Sequence, residues 1–318
     1  MMNDLTREYN YDQIHLIARK CIVGSRGKEC DVSVKFGNYR FNHPAIAANM
    51  KSVVNEDTCI FLAKHNWFYI MHRFKVDSLH FTKKMKKKGL ISSISVGVND
   101  DSYNMLKRFK IENLQPDYIT IDIAHGWAPK SERMIKYIKD NFENTFVIAG
   151  NVCTQNAVVE LDQWGADSIK VGIAGGRVCI TRNKTGFHRP MASTVMDCVQ
   201  GTDKPIIADG GVSEHGHIAK AIALGATMVM CGSLFAGYDQ SAGDKIEIND
   251  KQYKEYYGSA SAKNKGARIH VEGKKILIDY KGDMELLLEE LEEDLQSAVS
   301  YAGGRNLDAL FSTKKVIC

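Results

Sequence analysis

Apolar and polar positions along this chain fall into a repeating pair of patterns: a short run of apolar residues, then a longer stretch in which apolar residues recur every three or four positions. The short runs predict strands over 45–49, 68–71, 93–96, 118–122, 146–149, 168–171, 205–209 and 228–231. The longer stretches predict helices over 56–65, 77–88, 102–112, 131–141, 155–164, 193–200, 214–224 and 283–300. Strands alternating with helices call for parallel pairing, and eight such units in 318 residues match a (β/α)8 TIM barrel. The expected fold is therefore α/β, a single TIM-barrel domain over 1–318.

One break interrupts the pattern. A polar, lysine-rich insertion over about 238–282 separates the eighth strand from the last helix, and a long insertion at that end of a barrel predicts a lid or flap. Alternation in Lys275-Ile-Leu-Ile-Asp-Tyr280 predicts a short hairpin within it. Two other units echo each other, Trp164-Gly-Ala-Asp-Ser-Ile-Lys-Val-Gly172 and Leu224-Gly-Ala-Thr-Met-Val-Met-Cys-Gly232. In each, a helix ends on a glycine suited to a left-handed cap, a buried strand follows, and a second glycine closes it where a ligand can approach.

Composition narrows the function classes. With 44% apolar residues the chain can bury a sizeable core, and 42 Lys+Arg against 38 Asp+Glu leaves a formal charge of +4, too balanced for nucleic-acid binding as the main task. The lysine run over 83–88 reads as a solvated helix face. The opening Met-Met-Asn-Asp-Leu-Thr-Arg-Glu lacks the apolar run of a signal peptide, and no stretch approaches the roughly 18 apolar residues of a membrane span. A cytoplasmic protein without membrane or nucleic-acid partners is expected. Eight scattered cysteines without a Cys-x-x-Cys pair speak against zinc and disulfide frameworks.

The chemistry gathers where strands end. After the sixth predicted strand comes Gly172-Ile-Ala-Gly-Gly-Arg-Val-Cys179-Ile-Thr-Arg182, a glycine-rich turn that delivers one cysteine, followed by a loop with basic side chains. Glycines let backbone N–H groups meet an anion and the thiolate is the nucleophilic form of cysteine, so the stretch reads as a nucleophile beside an anion site. A tight turn with a buried cysteine is the alternative for that stretch alone. Asp209-Gly-Gly211 and Gly232-Ser233 follow the seventh and eighth strands, where barrels commonly bind phosphate. Asp209 is suited to accept from ribose hydroxyls. A nucleotide unites these parts.

The chain resembles the GMP reductase branch of the IMP dehydrogenase/GMP reductase family over nearly its whole length. Besides the Cys179 loop, the resemblance rests on Pro44-Ala-Ile-Ala-Ala-Asn-Met50, Asp122-Ile-Ala-His-Gly126, Ile148-Ala-Gly-Asn-Val152, Ile207-Ala-Asp-Gly-Gly211 and Gly232-Ser-Leu-Phe-Ala-Gly237. Tyr256-Tyr-Gly-Ser-Ala-Ser261, Val271-Glu-Gly-Lys274 and Asp294-Leu-Gln-Ser-Ala-Val-Ser-Tyr-Ala-Gly-Gly304 complete it. It implies an oxidoreductase of purine nucleotide salvage that deaminates GMP to IMP with NADPH, Cys179 forming a thioimidate at purine C2 while Thr181 and Glu272 relay protons. It further implies substrate contacts at Asp209, Gly210, Gly211, Gly232, Ser233, Gly258, Ser259, Ala260 and Arg177, and cofactor contacts at Arg73, Asp122, Ile123, Ala124, Gly172 and Ile173. Carbonyls of Ala174, Gly176 and Cys179 would hold a potassium ion, and the assembly would be a homotetramer.

The family's cysteine loop reads Gly-Ile-Gly-Pro-Gly-x-x-Cys, whereas this chain has Ala174-Gly175-Gly176-Arg177 before Val178 and Cys179. That departure keeps open the same chemistry on a deoxy or modified guanine nucleotide; against the non-enzymatic alternative, a barrel that senses nucleotide without turnover, stand Cys179, Thr181 and Glu272. IMP dehydrogenase, the other branch, needs an Arg-Tyr pair to activate water, and here Arg268 is followed by Ile269.

Overall fold

The computed structural model of the chain describes residues 6–261 and 272–318. Seven parallel strands form the central sheet: β1 (Ala45–Ala47), β2 (Ser93–Val96), β3 (Tyr118–Asp122), β4 (Phe146–Val152), β5 (Ser168–Val171), β6 (Ile206–Asp209) and β7 (Met228–Cys231). Their order across the sheet is β1-β7-β6-β5-β4-β3-β2. The first strand thus lies beside the last, which requires the sheet to curl. The predicted strand over 68–71 makes isolated parallel bridges instead of a ladder, Ala47 with Tyr69 and Met71 with Ile94. It therefore touches both edge strands, β1 and β2.

Helices follow the strands. They are α1 (Glu56–Lys64), α2 (Ser78–Lys87), α3 (Asp100–Ile111), α4 (Pro129–Asn141), α5 (Gln155–Gln163), α6 (Met191–Cys198), α7 (Gly216–Ala223) and α8 (Met284–Tyr301). In α4, Ser131, Met134, Ile135 and Ile138 are buried, the three-and-four spacing of a helix facing a sheet. Start positions follow local chemistry: side chains of Asn55, Asp77, Asn99, Thr154 and Asp283 accept from first-turn amides of α1, α2, α3, α5 and α8. Pro129 opens α4, two residues before the predicted start, because a missing N–H costs nothing there.

Phe36 and Phe41 of a short hairpin close the sheet at the end where strands begin. Their rings pack on Phe68 and Tyr118, with Phe36 also meeting Phe146, and the Tyr118 hydroxyl donates to the Phe36 carbonyl at 2.6 Å. The opposite end, where strands finish, is left for the loops. There the 245–279 region forms a three-stranded antiparallel sheet, β8 (Lys245–Ile248), β9 (Lys251–Tyr257) and β10 (Lys275–Asp279), one strand more than the predicted hairpin. No helix among the described residues is long and apolar enough to cross a membrane.

Candidate active site

The cysteine loop is shaped by close backbone packing. Gly172 ends β5 at φ 135, and a Cβ there would collide with the Asp209 carbonyl, so no other residue fits between these two strand ends. Two bonds fold the turn: the Gly175 carbonyl accepts the Gly211 amide at 2.9 Å and the Gly176 carbonyl accepts the Cys179 amide at 3.0 Å. Residues 178–180 then pair with 272–274, through an antiparallel bridge from Cys179 to Gly273, Ile180 N to Glu272 O at 2.8 Å and Lys274 N to Val178 O at 2.9 Å. A single helical turn, Thr181–Thr185, stands where a mobile loop is expected.

That pairing lines up three side chains from distant parts of the sequence. The Cys179 thiol donates to Thr181 Oγ1 at 3.2 Å, and the Thr181 hydroxyl donates to Glu272 Oε2 at 2.5 Å. The result is a directed path from a half-buried sulfur to a carboxylate, as a nucleophile and proton acceptor require.

The path opens onto a cleft of about 390 Å³ at the carboxyl ends of the strands, in the size range of small-molecule sites. Asp209, Gly258, Ser259 and Ala260 line it, as do Arg73, Asp122, Ile123 and Ala124. Gly172, Ile173, Ala174 and Gly176 form its floor beside Cys179. Gly210, Gly211, Gly232, Ser233 and Arg177 are not among its lining residues. The amides of Gly210 and Gly211 are engaged within the protein, donating to the carbonyls of Met230 (3.4 Å) and Gly175 (2.9 Å).

Sequence reasoning missed the charge at the centre of the cleft. Lys170 of β5 is 3% exposed, and its ammonium lies 2.6 Å from Asp209 Oδ2 and 3.2 Å from Asp122 Oδ1. Asn151 Nδ2 donates to the same Asp209 oxygen at 2.8 Å. Burial pushes the Lys170 ammonium down, but Asp209 and Asp122 together hold it above the usual lysine range. Burial likewise pushes the Asp122 carboxyl up, and Lys170 with Arg73 holds it below the usual carboxylate range. Lys170 and Asp122 are thus held in their charged forms. The signal was present: a lysine in an otherwise apolar buried strand needs a partner.

Tyr256, also missed, reaches into the cleft from β9 and is 2% exposed. Its hydroxyl occupies the space that a Cβ on Gly232 would take. Burial, with Asp209 next, pushes the phenol up, while the Arg177 guanidinium opposes that. Gly232→Ala is expected to destabilise the chain by about 1–3 kcal/mol through this overlap. Adding Tyr256→Phe should recover part of the loss in chemical denaturation, whereas additive losses would show that the two do not meet.

Asp122 and Arg73, whose Nε donates to the Asp122 carbonyl at 3.2 Å, offer an acid and a cation to the ribose and phosphates of a dinucleotide. Of the carbonyls expected to hold a monovalent cation, that of Gly176 accepts the Cys179 amide, and Ala174 sits at φ 58.

Comparison with known proteins shows the family. A family model described as IMP dehydrogenase / GMP reductase domain matches residues 8–318. A GMP reductase of Chromobacterium violaceum is 61% identical over 303 residues, covering 95% of this chain and 96% of that protein. A GMP reductase of Albidiferax ferrireducens is 52% identical, covering 94% and 92%, and one of Lacticaseibacillus paracasei is 51% identical, covering 99% and 97%. With the match running through the cysteine loop, the strand-end acids and the 272–274 segment, the chain belongs to the IMP dehydrogenase/GMP reductase family.

Proposed function

We propose that this chain is an NADPH-dependent enzyme that reductively deaminates GMP to IMP and ammonia. The observation that carries the proposal is the Cys179–Thr181–Glu272 path opening onto a cleft with two acids at its base. The near full-length likeness to proteins named GMP reductase supports it.

Cys179 loses its proton along Thr181 to Glu272, and the sulfur adds to purine C2. Glu272, through Thr181, returns that proton to the exocyclic amine. The C2–N bond then breaks, ammonia leaves, and C2 remains joined to sulfur as a thioimidate. NADPH, when bound, supplies a hydride to C2. The C2–S bond breaks, IMP forms and the Cys179 thiolate is regenerated. Asp209 holds the substrate ribose, with the backbone of Gly258, Ser259 and Ala260 along the base. Asp122, Ile123, Ala124, Arg73, Gly172 and Ile173 would hold the cofactor. Since the Gly210 and Gly211 amides are engaged, the phosphate end falls to Gly232 and Ser233 with the charge of Arg177.

The same proposal makes the chain one catalytic domain in which 68–71 closes the curled sheet as the eighth strand of a (β/α)8 barrel, supported by its bridges to both edge strands. The β8–β10 insertion acts as the lid. Cytoplasmic residence and homotetrameric assembly follow the family. A second reading, a deoxy or modified guanine nucleotide as substrate, is favoured by the Ala174–Arg177 departure beside Cys179. Arg268 and Ile269, which bear on the IMP dehydrogenase alternative, lie outside the described residues.

One assay separates these readings: NADPH absorbance followed with GMP and with dGMP, in parallel with IMP plus NAD. Oxidation of NADPH fastest with GMP is the expected result. A preference for dGMP would move the assignment to the second reading, and NADH formation from IMP alone would overturn both.

A further inference from the structure

We infer that Lys170 is a positioning residue shared by the substrate and cofactor subsites. This rests on the reading that Asp209 meets the substrate ribose and Asp122 the cofactor. Lys170 stands on β5, Asp209 on the neighbouring β6, and Asp122 on β3 beyond β4. One ammonium therefore joins the two acids across the intervening strand. Its contact with Asp209 falls on Oδ2, the oxygen also bonded by Asn151, and no described residue donates to Asp209 Oδ1. On Asp122 it faces Oδ1, with Asn49 a further partner of that carboxylate. Each acid is thereby turned to a fixed orientation with acceptor capacity left for a ligand hydroxyl.

Without Lys170, two carboxylates would face each other across a buried floor with no intervening charge. Each would turn toward water or take up a proton, and either change spoils it as a hydroxyl acceptor. Gly150 lets β4 pack directly on Lys170, since a Cβ there would strike the Lys170 backbone and side-chain stem. Lys170 lies outside the Cys179–Thr181–Glu272 path, so its loss should damage binding at two places and leave the thiol as it was.

Lys170→Met and Lys170→Arg test this. Methionine is expected to raise the KM for GMP and the KM for NADPH together, each by about tenfold or more, and arginine to recover part of both. Calorimetric titration with IMP and, separately, with NADP+ should show the same paired loss without turnover. The rate at which a thiol-directed alkylating reagent modifies Cys179 should not change. A folded methionine variant that loses affinity for one ligand only, or for neither, overturns the inference. So does one in which alkylation changes along with both affinities, since that marks a general collapse of the floor. Should circular dichroism show that the methionine chain does not fold, Lys170→Gln, which keeps a donor, carries the same readouts. Failure of the reaction proposed above would show differently, as a wild-type chain that does not turn over GMP.

Discussion

Cys179→Ala is expected to lower NADPH oxidation with GMP by about 10⁴-fold or more, while the variant still binds the nucleotide. Cys179 contributes the one thiol lining the cleft, so no neighbouring group can form the same bond to purine C2. The fold should bear the change well. Its sulfur is half-buried and, among the described residues, hydrogen-bonded to Thr181, and the loop around it is held by backbone pairing with 272–274, which alanine keeps. A stability change within about 1 kcal/mol is expected for such a site. Turnover measured with NADPH in excess, alongside calorimetric binding of IMP, checks both halves. Retained turnover would sink the covalent route, and lost binding would mean that the sulfur anchors the nucleotide instead of attacking it.

Much of the fold was legible in the sequence because it rests on local signals. Strands over 93–96, 118–122, 168–171 and 228–231 begin and end where their apolar runs do. Helix positions followed three-and-four periodicity and cap residues. The Phe36 and Phe41 hairpin was not legible, since strands of three residues carry no period and this pair is held by rings from Phe68, Tyr118 and Phe146 far along the chain. Likewise 68–71 reads as a strand by composition, but its pairing depends on two edges that only meet when the sheet curls. The β8 and β9 strands are largely polar or exposed along β8, which hid all but the apolar alternation of β10.

The site divides in the same way. Cys179 and Thr181 are legible because a glycine turn and two-residue spacing are local features. Glu272 is tied to Thr181 by a hydrogen bond across 91 positions in sequence, a relation only the family resemblance supplied. Lys170 shows the opposite failure. Its local signal was plain, but the partner that explains it, Asp209, stands 39 positions later and becomes visible only when β5 and β6 lie side by side.

Glu272→Gln should separate the two halves of the reaction. Glutamine keeps the size of the side chain and an oxygen that can accept from Thr181, so the path to Cys179 retains its geometry. What it loses is the capacity to hold and return a proton. Expulsion of the purine amine needs that proton, and general acid–base groups typically contribute about 10²–10⁴-fold, so ammonia release from GMP in a single turnover should fall by about that factor. Hydride transfer needs no proton from Glu272, because cleavage of the C2–S bond returns a thiolate. Run in reverse with IMP and NADP+, at a pH high enough to ionise Cys179 without Glu272, that half-reaction should stay within about threefold of the wild type. Equal losses in the two half-reactions would mean that Glu272 holds the cleft in shape without moving a proton. The remaining cleft carboxylates among the described residues, Asp122 and Asp209, would then have to serve, and both are already bound to Lys170.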